Sequence, residues 1–134
     1  MQVVDASVTV KWFIPEEGAE EALEIFQDHI SGRDEIFVPD LLFYEVVNAL
    51  RYKNSLEPEG VMQFIETLSQ IQPIRVGADD DFLKTVYHLA REIDVSVYDA
   101  SYLILAERLQ CVFVTADQKL AQKTGTRFTI RLIK

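Results

Sequence analysis

Cysteine, glycine and proline are scarce in this sequence, and each shortage removes one explanation of how the chain folds. Cys111 is the only cysteine among 134 residues, so no intrachain disulfide can form, and we expect a small buried thiol. The five glycines and four prolines form no low-complexity tract and no flexible linker. The sequence therefore predicts a single domain over residues 1–134.

Long hydrophobic runs are also absent. No segment is long and apolar enough to span a bilayer, and residues 1–5 lack the basic region of a signal peptide. We therefore predict a cytoplasmic protein with no membrane attachment. Hydrophobic residues still make up 49% of the chain, which is enough to build a core without disulfides or structural metals.

Positive charge is in short supply. The chain has 13 Lys and Arg residues against 22 Asp and Glu residues, which gives a formal net charge of −9. Proteins that bind nucleic acid usually carry a basic surface, so this balance argues against tight, non-specific binding by the chain alone. Bound divalent cations, or a local cluster of basic residues, would offset it.

Short β-rich segments alternate with longer segments of helical periodicity. Strands are predicted at Gln2–Val4, Ile36–Val38, Ile74–Val76, Val112–Thr115 and Thr129–Arg131. Helices are predicted at Ser7–Phe13, Glu17–Ser31 with Gly32 as its C-cap, Asp40–Lys53, Pro58–Gln70, Asp79–Ile93, Val97–Leu109 and Asp117–Lys123. This alternation is typical of an α/β fold. We predict a three-layer α/β/α sandwich around a central, mainly parallel sheet of roughly five strands.

Two acidic residues follow predicted strands. Asp5 comes directly after the first strand, and Asp117 comes two residues after Thr115, the end of the fourth. In open parallel sheets, ligands bind beyond the carboxyl ends of the strands. If these two strands are neighbours, the two carboxylates converge at one edge of the sheet.

Two further acidic residues lie on apolar helix stripes. Glu45 has Leu41 four residues before it and Ala49 four after, and Asp99 is followed by Leu103 at the same spacing. An ionised carboxylate on such a stripe is unfavourable unless a cation or a strong donor receives it. Hard divalent cations such as Mg²⁺ prefer oxygen ligands, and they can activate a water against a phosphate ester. The predicted metal ligands are Asp5, Glu45, Asp99 and Asp117.

Three of these four acids also have a purely structural interpretation. Asp5 can cap the helix that follows it, and either Thr115 or Asp117 can cap the last helix. Ser96 and Asp99 form a variant of the capping box. The mid-helix glutamate has no such alternative. Capping and metal binding are compatible, because helix N-termini carry a positive partial charge.

Other polar residues have only the structural interpretation. Asp40 follows Pro39 and is predicted to be a plain helix cap, and Asp79–Asp81 is predicted to be a solvated helix start. His29 and His88 lie within amphipathic helices and are predicted to be surface or boundary residues. There is no zinc-binding Cys/His spacing and no glycine-rich phosphate loop, so no other catalytic set competes with the carboxylates.

Four blocks match one known family in order and spacing. They are Val3–Ser7, Pro39–Leu50, Val97–Leu103 and Phe113–Leu120. With these blocks the chain resembles the PIN domain, and within it the VapC-type toxins of toxin–antitoxin pairs. The resemblance implies a three-layer α/β/α fold and an endoribonuclease that depends on Mg²⁺ or Mn²⁺. It also implies a homodimer, and a small antitoxin that wraps the helical surface and inhibits the enzyme.

The same resemblance assigns roles to individual residues. It implies that metal binding is carried by Asp5, Glu45, Asp99 and Asp117. It also suggests Thr115 as a hydroxyl that orders the acidic site or its water, whereas Asn48 is expected to pack or to bond within its helix.

Aromatic and basic residues give a second set of predictions. Trp12 is expected in the core, with an apolar partner groove as the alternative. Tyr98 and Tyr102 are expected to pack, with a dimer seam or base stacking as the alternative. The basic residues placed to contact RNA phosphates are Lys11, Arg51, Lys53 and Lys119.

Two other functions compete with an RNA-cleaving enzyme regulated by a protein inhibitor. One is a PIN-like scaffold that binds proteins without catalysis, and the intact set of four acids argues against it. The other is a phospho-receiver signalling domain, which also uses an acidic pocket, Mg²⁺ and a strand-end threonine. No paired acidic residues follow the first strand and no phosphoacceptor aspartate ends Ile74–Val76, so the sequence argues against this function too.

Overall fold

Five short strands form the centre of the structure, a computed structural model that describes residues 1–134. They are β1 (Gln2–Val4), β2 (Ile36–Pro39), β3 (Ile74–Val76), β4 (Val112–Thr115) and β5 (Ile130–Leu132). All four strand pairings are parallel, in the order β3-β2-β1-β4-β5. The predicted five-stranded α/β fold is confirmed, and the sheet is wholly rather than mainly parallel.

Seven α-helices connect and cover the strands. They are α1 (Ala6–Thr9), α2 (Ala19–Ile30), α3 (Leu41–Arg51), α4 (Pro58–Ile71), α5 (Asp80–Ile93), α6 (Val97–Leu109) and α7 (Gln118–Lys123). The first predicted helix is a single turn, α1, that continues as a 3-10 helix over Val10–Trp12. Three other predicted helices began one residue early, because their first residues lie at the N-cap positions Asp40, Asp79 and Asp117.

The order of the strands places the helices on both faces of the sheet. The chain adds β2 and β3 on one side of β1 and then crosses back to add β4 and β5 on the other. Because parallel crossovers are right-handed, this reversal puts the helices of the two halves on opposite faces. Helix α6 packs on β1, β2 and β4 and is covered by α5, whereas α1 contacts α2 and α3. The three-layer α/β/α arrangement is thus confirmed, and its point of reversal lies between β1 and β4.

The core fills the space between the layers. A cluster of 30 buried hydrophobic residues includes Val3, Val4, Phe113 and Val114 from the two central strands. Every residue of α6 from Ala100 to Ala106 is buried, since the sheet covers one side of this helix and α5 the other. None of the seven α-helices has the combination of length and hydrophobicity that a membrane-spanning helix requires.

Several structural predictions can be compared directly with the coordinates. Trp12 is buried and its ring packs near that of Phe26, so the core interpretation is confirmed. His29 is a boundary residue, as predicted: its Nδ1 accepts from the backbone N–H of Ile36, which leaves Nε2 to donate to the carbonyl of Ile71. Cys111 is only half-buried, so the buried-thiol prediction holds in part.

The capping predictions have mixed outcomes. Asp79 caps α5 by accepting a hydrogen bond from the backbone N–H of Phe82. Asp40 makes no capping hydrogen bond, so the prediction for it was wrong. Its backbone is already helical, with φ −53° and ψ −31°, whereas a capping side chain reaches the first free N–H groups from an extended backbone. Gly32 has a φ of +75° just beyond α2, which is the conformation expected of a glycine after a helix end.

Candidate active site

Asp5 lies where the sheet reverses direction. Strands β1 and β4 are direct neighbours, with Val4 opposite Val114, so the condition for convergence of the strand-end acids is met. Asp5 is 7% exposed, and its carboxylate accepts hydrogen bonds from the hydroxyls of Ser7 and Thr115. It also accepts from the backbone N–H of Val8, so the predicted helix cap is present as well. The capping and site interpretations of Asp5 therefore hold together.

Two hydroxyls direct their protons onto this carboxylate. The backbone N–H of Ala116 donates to Ser7 Oγ over 2.9 Å, and that of Asp117 donates to Thr115 Oγ1 over 3.0 Å. A hydroxyl has one proton, and each of these hydroxyls accepts from a backbone N–H and donates its proton to Asp5. The arrangement fixes Asp5 across the gap between β1 and β4.

Ser7 is a site residue that the sequence analysis did not single out. It lies inside the first matched block, two residues after Asp5, and its side chain bonds to a loop that is 109 residues away in the chain. The available signal was local, because a serine two positions after a strand-end aspartate can bond back to it. Its second partner depends on which strand lies beside β1, and the sequence does not give that order.

Glu45 receives a hydrogen bond from a buried tyrosine. The Tyr102 hydroxyl donates to Glu45 Oε1 over 2.6 Å, and the Tyr102 ring stacks on Phe113 of β4. Burial, with the charge of Glu45 second, raises the pKa of Tyr102, so its hydroxyl stays a donor. Tyr102 is thus core packing, as predicted, with an additional polar role that was not predicted. Tyr98 is 61% exposed, so the packing expected of it is absent.

Asp99 and Asp117 line one open cleft. The cleft has a volume of about 450 Å³, and its other charged lining residues are Asp94, Lys119 and Lys123. Asp117 is exposed and caps α7 by accepting from the backbone N–H of Leu120. Asp5 and Glu45 do not line this cleft.

The capping-box prediction for α6 is only half fulfilled. Ser96 Oγ accepts from the backbone N–H of Asp99, which is the first of the two expected hydrogen bonds. The Asp99 carboxylate makes no return bond to the backbone N–H of Ser96 and stays half-buried at the cleft. Both of its oxygens are therefore available to another partner.

Each of the last three acids raises the pKa of the acid that precedes it in the chain. Burial, opposed in part by its hydrogen bonds, raises the pKa of Asp5 to about 6, and the charge of Glu45 adds to the rise. Burial raises the pKa of Glu45 first, and the charge of Asp99 raises it further. Burial likewise raises the pKa of Asp99, with a further rise from Asp117 and an opposing effect of Lys123. We call these four residues the acidic row.

No ion pair relieves the acidic row. All eight ion pairs of the structure join other residues, and none includes Asp5, Glu45, Asp99 or Asp117. Buried or half-buried carboxylates without a cationic partner are costly, so the row has a local excess of negative charge that a cation would offset.

The four acids suit a divalent cation that keeps several of its waters better than one ligated entirely by protein side chains. No three His, Cys, Asp or Glu side chains lie close enough together to hold a metal ion directly. Mg²⁺ usually takes only one or two carboxylates and keeps several waters, so a wider row of carboxylates suits it. Glu45 Oε2, both oxygens of Asp99 and one oxygen of Asp117 accept no hydrogen bond from the protein and remain free for such an ion or its waters.

The predicted basic residues and Asn48 have different surroundings in the structure. Lys11 and Lys53 both pair with Glu16. The Arg51 guanidinium lies over the ring of the neighbouring Tyr52. Lys119 lies in the cleft with two of the acids. Asn48 is exposed and its side chain makes no hydrogen bond, so the packing expected of it is not observed.

Known proteins show the same sequence pattern and the same fold. The PIN domain profile matches residues 3–125. Ribonuclease VapC3 of Pyrobaculum aerophilum is 33% identical over 125 residues, which cover 90% of this chain and 92% of that protein.

Solved structures extend the comparison to the fold. A crystal structure from Pyrobaculum aerophilum has a TM-score of 0.72 at 24% identity and covers 96% of this chain and 81% of the other. A toxin–antitoxin complex from Klebsiella pneumoniae contains a chain with a TM-score of 0.69 at 17% identity, covering 97% and 100% of the two chains. At these identities the structures establish a shared architecture.

Proposed function

The chain belongs to the PIN domain family, and on that premise we propose that it is a ribonuclease that uses a divalent cation, Mg²⁺ or Mn²⁺, to hydrolyse RNA phosphodiester bonds. The observation that carries the proposal is the acidic row at the sheet reversal, which takes part in no ion pair and in which burial raises the pKa of three members. The proposed metal ligands are Asp5, Glu45, Asp99 and Asp117. The similarity to a ribonuclease over nearly the whole length of both chains supports the choice of RNA as substrate.

Hydroxyl groups of the protein would hold two of the proposed metal ligands in place for the reaction. Thr115 and Ser7 hold Asp5 in one orientation, and Tyr102 holds Glu45 in one orientation, so neither carboxylate has to be ordered when the substrate binds. A divalent ion bound at the row would acidify a water and offset charge on the scissile phosphate. Asp99 and Asp117 open directly onto a cleft, where a phosphate group can approach them from solvent.

We further propose a small antitoxin protein as the regulator, and a homodimer as the working form. The related chain from Klebsiella pneumoniae was solved as part of a toxin–antitoxin complex, which supports the first of these. An apolar groove of about 510 Å³ between α3 and α4, lined in part by Val47, Val61 and Met62, offers a surface for a protein partner. The proposed setting is a single domain of residues 1–134 in the cytoplasm.

The test of the proposed function is metal-dependent cleavage. Purified protein is incubated with unstructured and structured RNAs in Mg²⁺, Mn²⁺ or EDTA. Cleavage is expected only with metal, and Asp5→Asn and Asp99→Asn are each expected to abolish it while the circular dichroism spectrum stays unchanged. Asp81→Asn, on the exposed start of α5, is the matched control and is expected to cleave like the parent. Cleavage of equal rate in all three variants would show that the activity comes from another site or a contaminant.

A non-catalytic PIN-like scaffold is the second candidate. The observation in its favour is that no three acids lie within direct ligating distance of one metal ion. A Mn²⁺ titration separates the two functions, because a scaffold would show the same weak binding in the parent and in Asp99→Asn. The third candidate of the sequence analysis, a receiver domain, has the strand order 2-1-3-4-5, which differs from the order observed here.

A further inference from the structure

The cleft that is lined by two members of the acidic row is also lined by two lysines. Lys119 and Lys123 are both on α7, and they line the cleft together with Asp94, Asp99 and Asp117. Both lysines are exposed. The cleft therefore brings ammonium groups and two members of the row to one solvent-accessible surface.

Lys119 has no partner within the protein. Its side chain makes no hydrogen bond and no ion pair, whereas Lys11 and Lys53 are both held by Glu16. Its backbone position is nevertheless well defined, because Asp117 caps α7 and bonds through its N–H to Thr115 at the end of β4. Lys119 is thus a free cation on a fixed support, two residues from one member of the row.

Lys123 is held in place instead. Its ammonium group donates to the backbone carbonyl of Asp94 over 2.6 Å, which ties α7 to the end of α5. The charge of Lys123 also acts on Asp99. Lys123 therefore keeps positive charge beside the row, while Lys119 keeps its own donors free for an outside group.

The charges of the cleft explain how an acidic protein could bind a polyanion there. Three carboxylates and two ammonium groups line it, so its charge is slightly negative as it stands. One divalent cation at Asp99 and Asp117 would make it positive. Binding of the cation and binding of a phosphate would then favour each other, and this coupling is local, so the net charge of −9 does not prevent it.

We propose that RNA reaches the acidic row through this cleft, and that Lys119 binds the phosphate next to the scissile one. The inference rests on the proposed function and adds to it a route and a binding residue for the single strand. Lys119 acts in substrate binding and positioning, and the chemistry stays with the row.

The test measures binding separately from cleavage. A 12-nucleotide unstructured RNA with a 5′ fluorescein is titrated in Mg²⁺ against Asp5→Asn protein, which keeps all three carboxylates of the cleft. Adding Lys119→Gln is expected to weaken binding roughly threefold to fivefold, as for the loss of one exposed charged contact. The slope of log Kd against log salt is expected to fall by about 0.7, the value for one phosphate contact on a single strand.

Two further variants decide whether the effect is specific. Lys119→Arg keeps the charge and is expected to bind within about twofold of the parent. Lys84→Gln removes an exposed lysine of α5 that has no hydrogen bond or ion pair and does not line the cleft, and it is expected to change neither Kd nor slope. An unchanged Kd and slope in Lys119→Gln would overturn the inference. An equal loss in Lys84→Gln would overturn it as well, because the effect would then be one of overall charge.

Kinetics on protein with an intact acidic row test the binding role of Lys119 separately from the proposed ribonuclease function. Lys119→Gln is expected to raise KM by the same factor as Kd and to leave kcat unchanged. If the parent cleaves RNA with metal but KM does not respond to Lys119→Gln, the inference fails and the proposed function stands. If the parent neither cleaves nor binds RNA in Mg²⁺ or Mn²⁺, both fail.

Discussion

Replacing Asp5 by asparagine is expected to stabilise the metal-free protein at pH 8. Burial raises the pKa of Asp5 from 3.8 to about 6, so the folded protein binds this proton more tightly than the unfolded chain does. The ionised carboxylate therefore costs stability above pH 6. That cost shrinks as the pH falls through 6 and is gone below 3.8, where both states are protonated.

The size of the effect follows from the two pKa values. A gap of about 2 units corresponds to about 3 kcal/mol at 1.4 kcal/mol per unit. Asparagine resembles the neutral acid in shape, but its amide group fits the hydroxyls of Ser7 and Thr115 less well, so we expect a gain of about 2 kcal/mol at pH 8. For a chain of this size that is a rise in Tm of roughly 6 to 8 °C.

The assay is urea unfolding followed by circular dichroism, in EDTA, from pH 4 to pH 8. The difference in unfolding free energy between Asp5→Asn and the parent should be zero or slightly negative at pH 4, where little of the ionisation cost remains, and rise to about 2 kcal/mol above pH 7. Asp81→Asn reports the effect of removing an exposed carboxylate and should show no such trend. An Asp5→Asn protein that is equal to or less stable than the parent at pH 8 would refute the reasoning.

Two other substitutions test the hydrogen bonds around the row. Thr115→Val keeps the shape of the side chain but leaves the backbone N–H of Asp117 and one oxygen of Asp5 without their partner, and it should cost about 1 to 3 kcal/mol in urea unfolding and reduce metal-dependent cleavage. An unchanged stability would show that the hydroxyl is not needed there. Tyr102→Phe removes only the donor to Glu45; it should cost about 1 kcal/mol, keep the fold and lower kcat, and a kcat equal to that of the parent would remove Tyr102 from the positioning of Glu45.

The central strands could be predicted from the sequence because their signal is local. The segments Gln2–Val4 and Val112–Thr115 are short and apolar between polar turns, which is the pattern of buried parallel strands, and both were predicted with the bounds observed. Asp5 follows the first of these strands and Thr115 ends the second, so both residues lie at the carboxyl end of the parallel sheet. For the same reason the position of Asp5 at the ligand-binding edge could be predicted.

The partners of the site residues could not be predicted in the same way. The hydrogen bond from Thr115 to Asp5 joins residues 110 apart, and that from Tyr102 to Glu45 joins residues 57 apart. Both depend on the strand order and on which helix covers which face, and these arise from packing of the whole chain. Local patterns therefore identify acids at strand ends and on apolar helix stripes, whereas the fold determines their hydrogen-bond partners.

A prediction from residue type alone was wrong where the backbone conformation differs from the one expected. Asp40 has the residue type and the position of a helix cap, but its backbone is helical and its side chain caps nothing. Lys11 and Lys53 lie close to the matched blocks and both pair with Glu16, a partner that spacing alone does not reveal. Their contact with RNA phosphates stays a prediction.

The proposed function and the further inference both depend on a divalent cation at the acidic row. Crystals grown with MnCl₂ and measured at the manganese absorption edge test this directly, because the anomalous signal locates the ion without reference to activity. We predict a peak between Asp5, Glu45, Asp99 and Asp117, with water completing the coordination, and no such peak in Asp99→Asn. A structure with no peak at the row, or with its peak at another surface, would contradict the account.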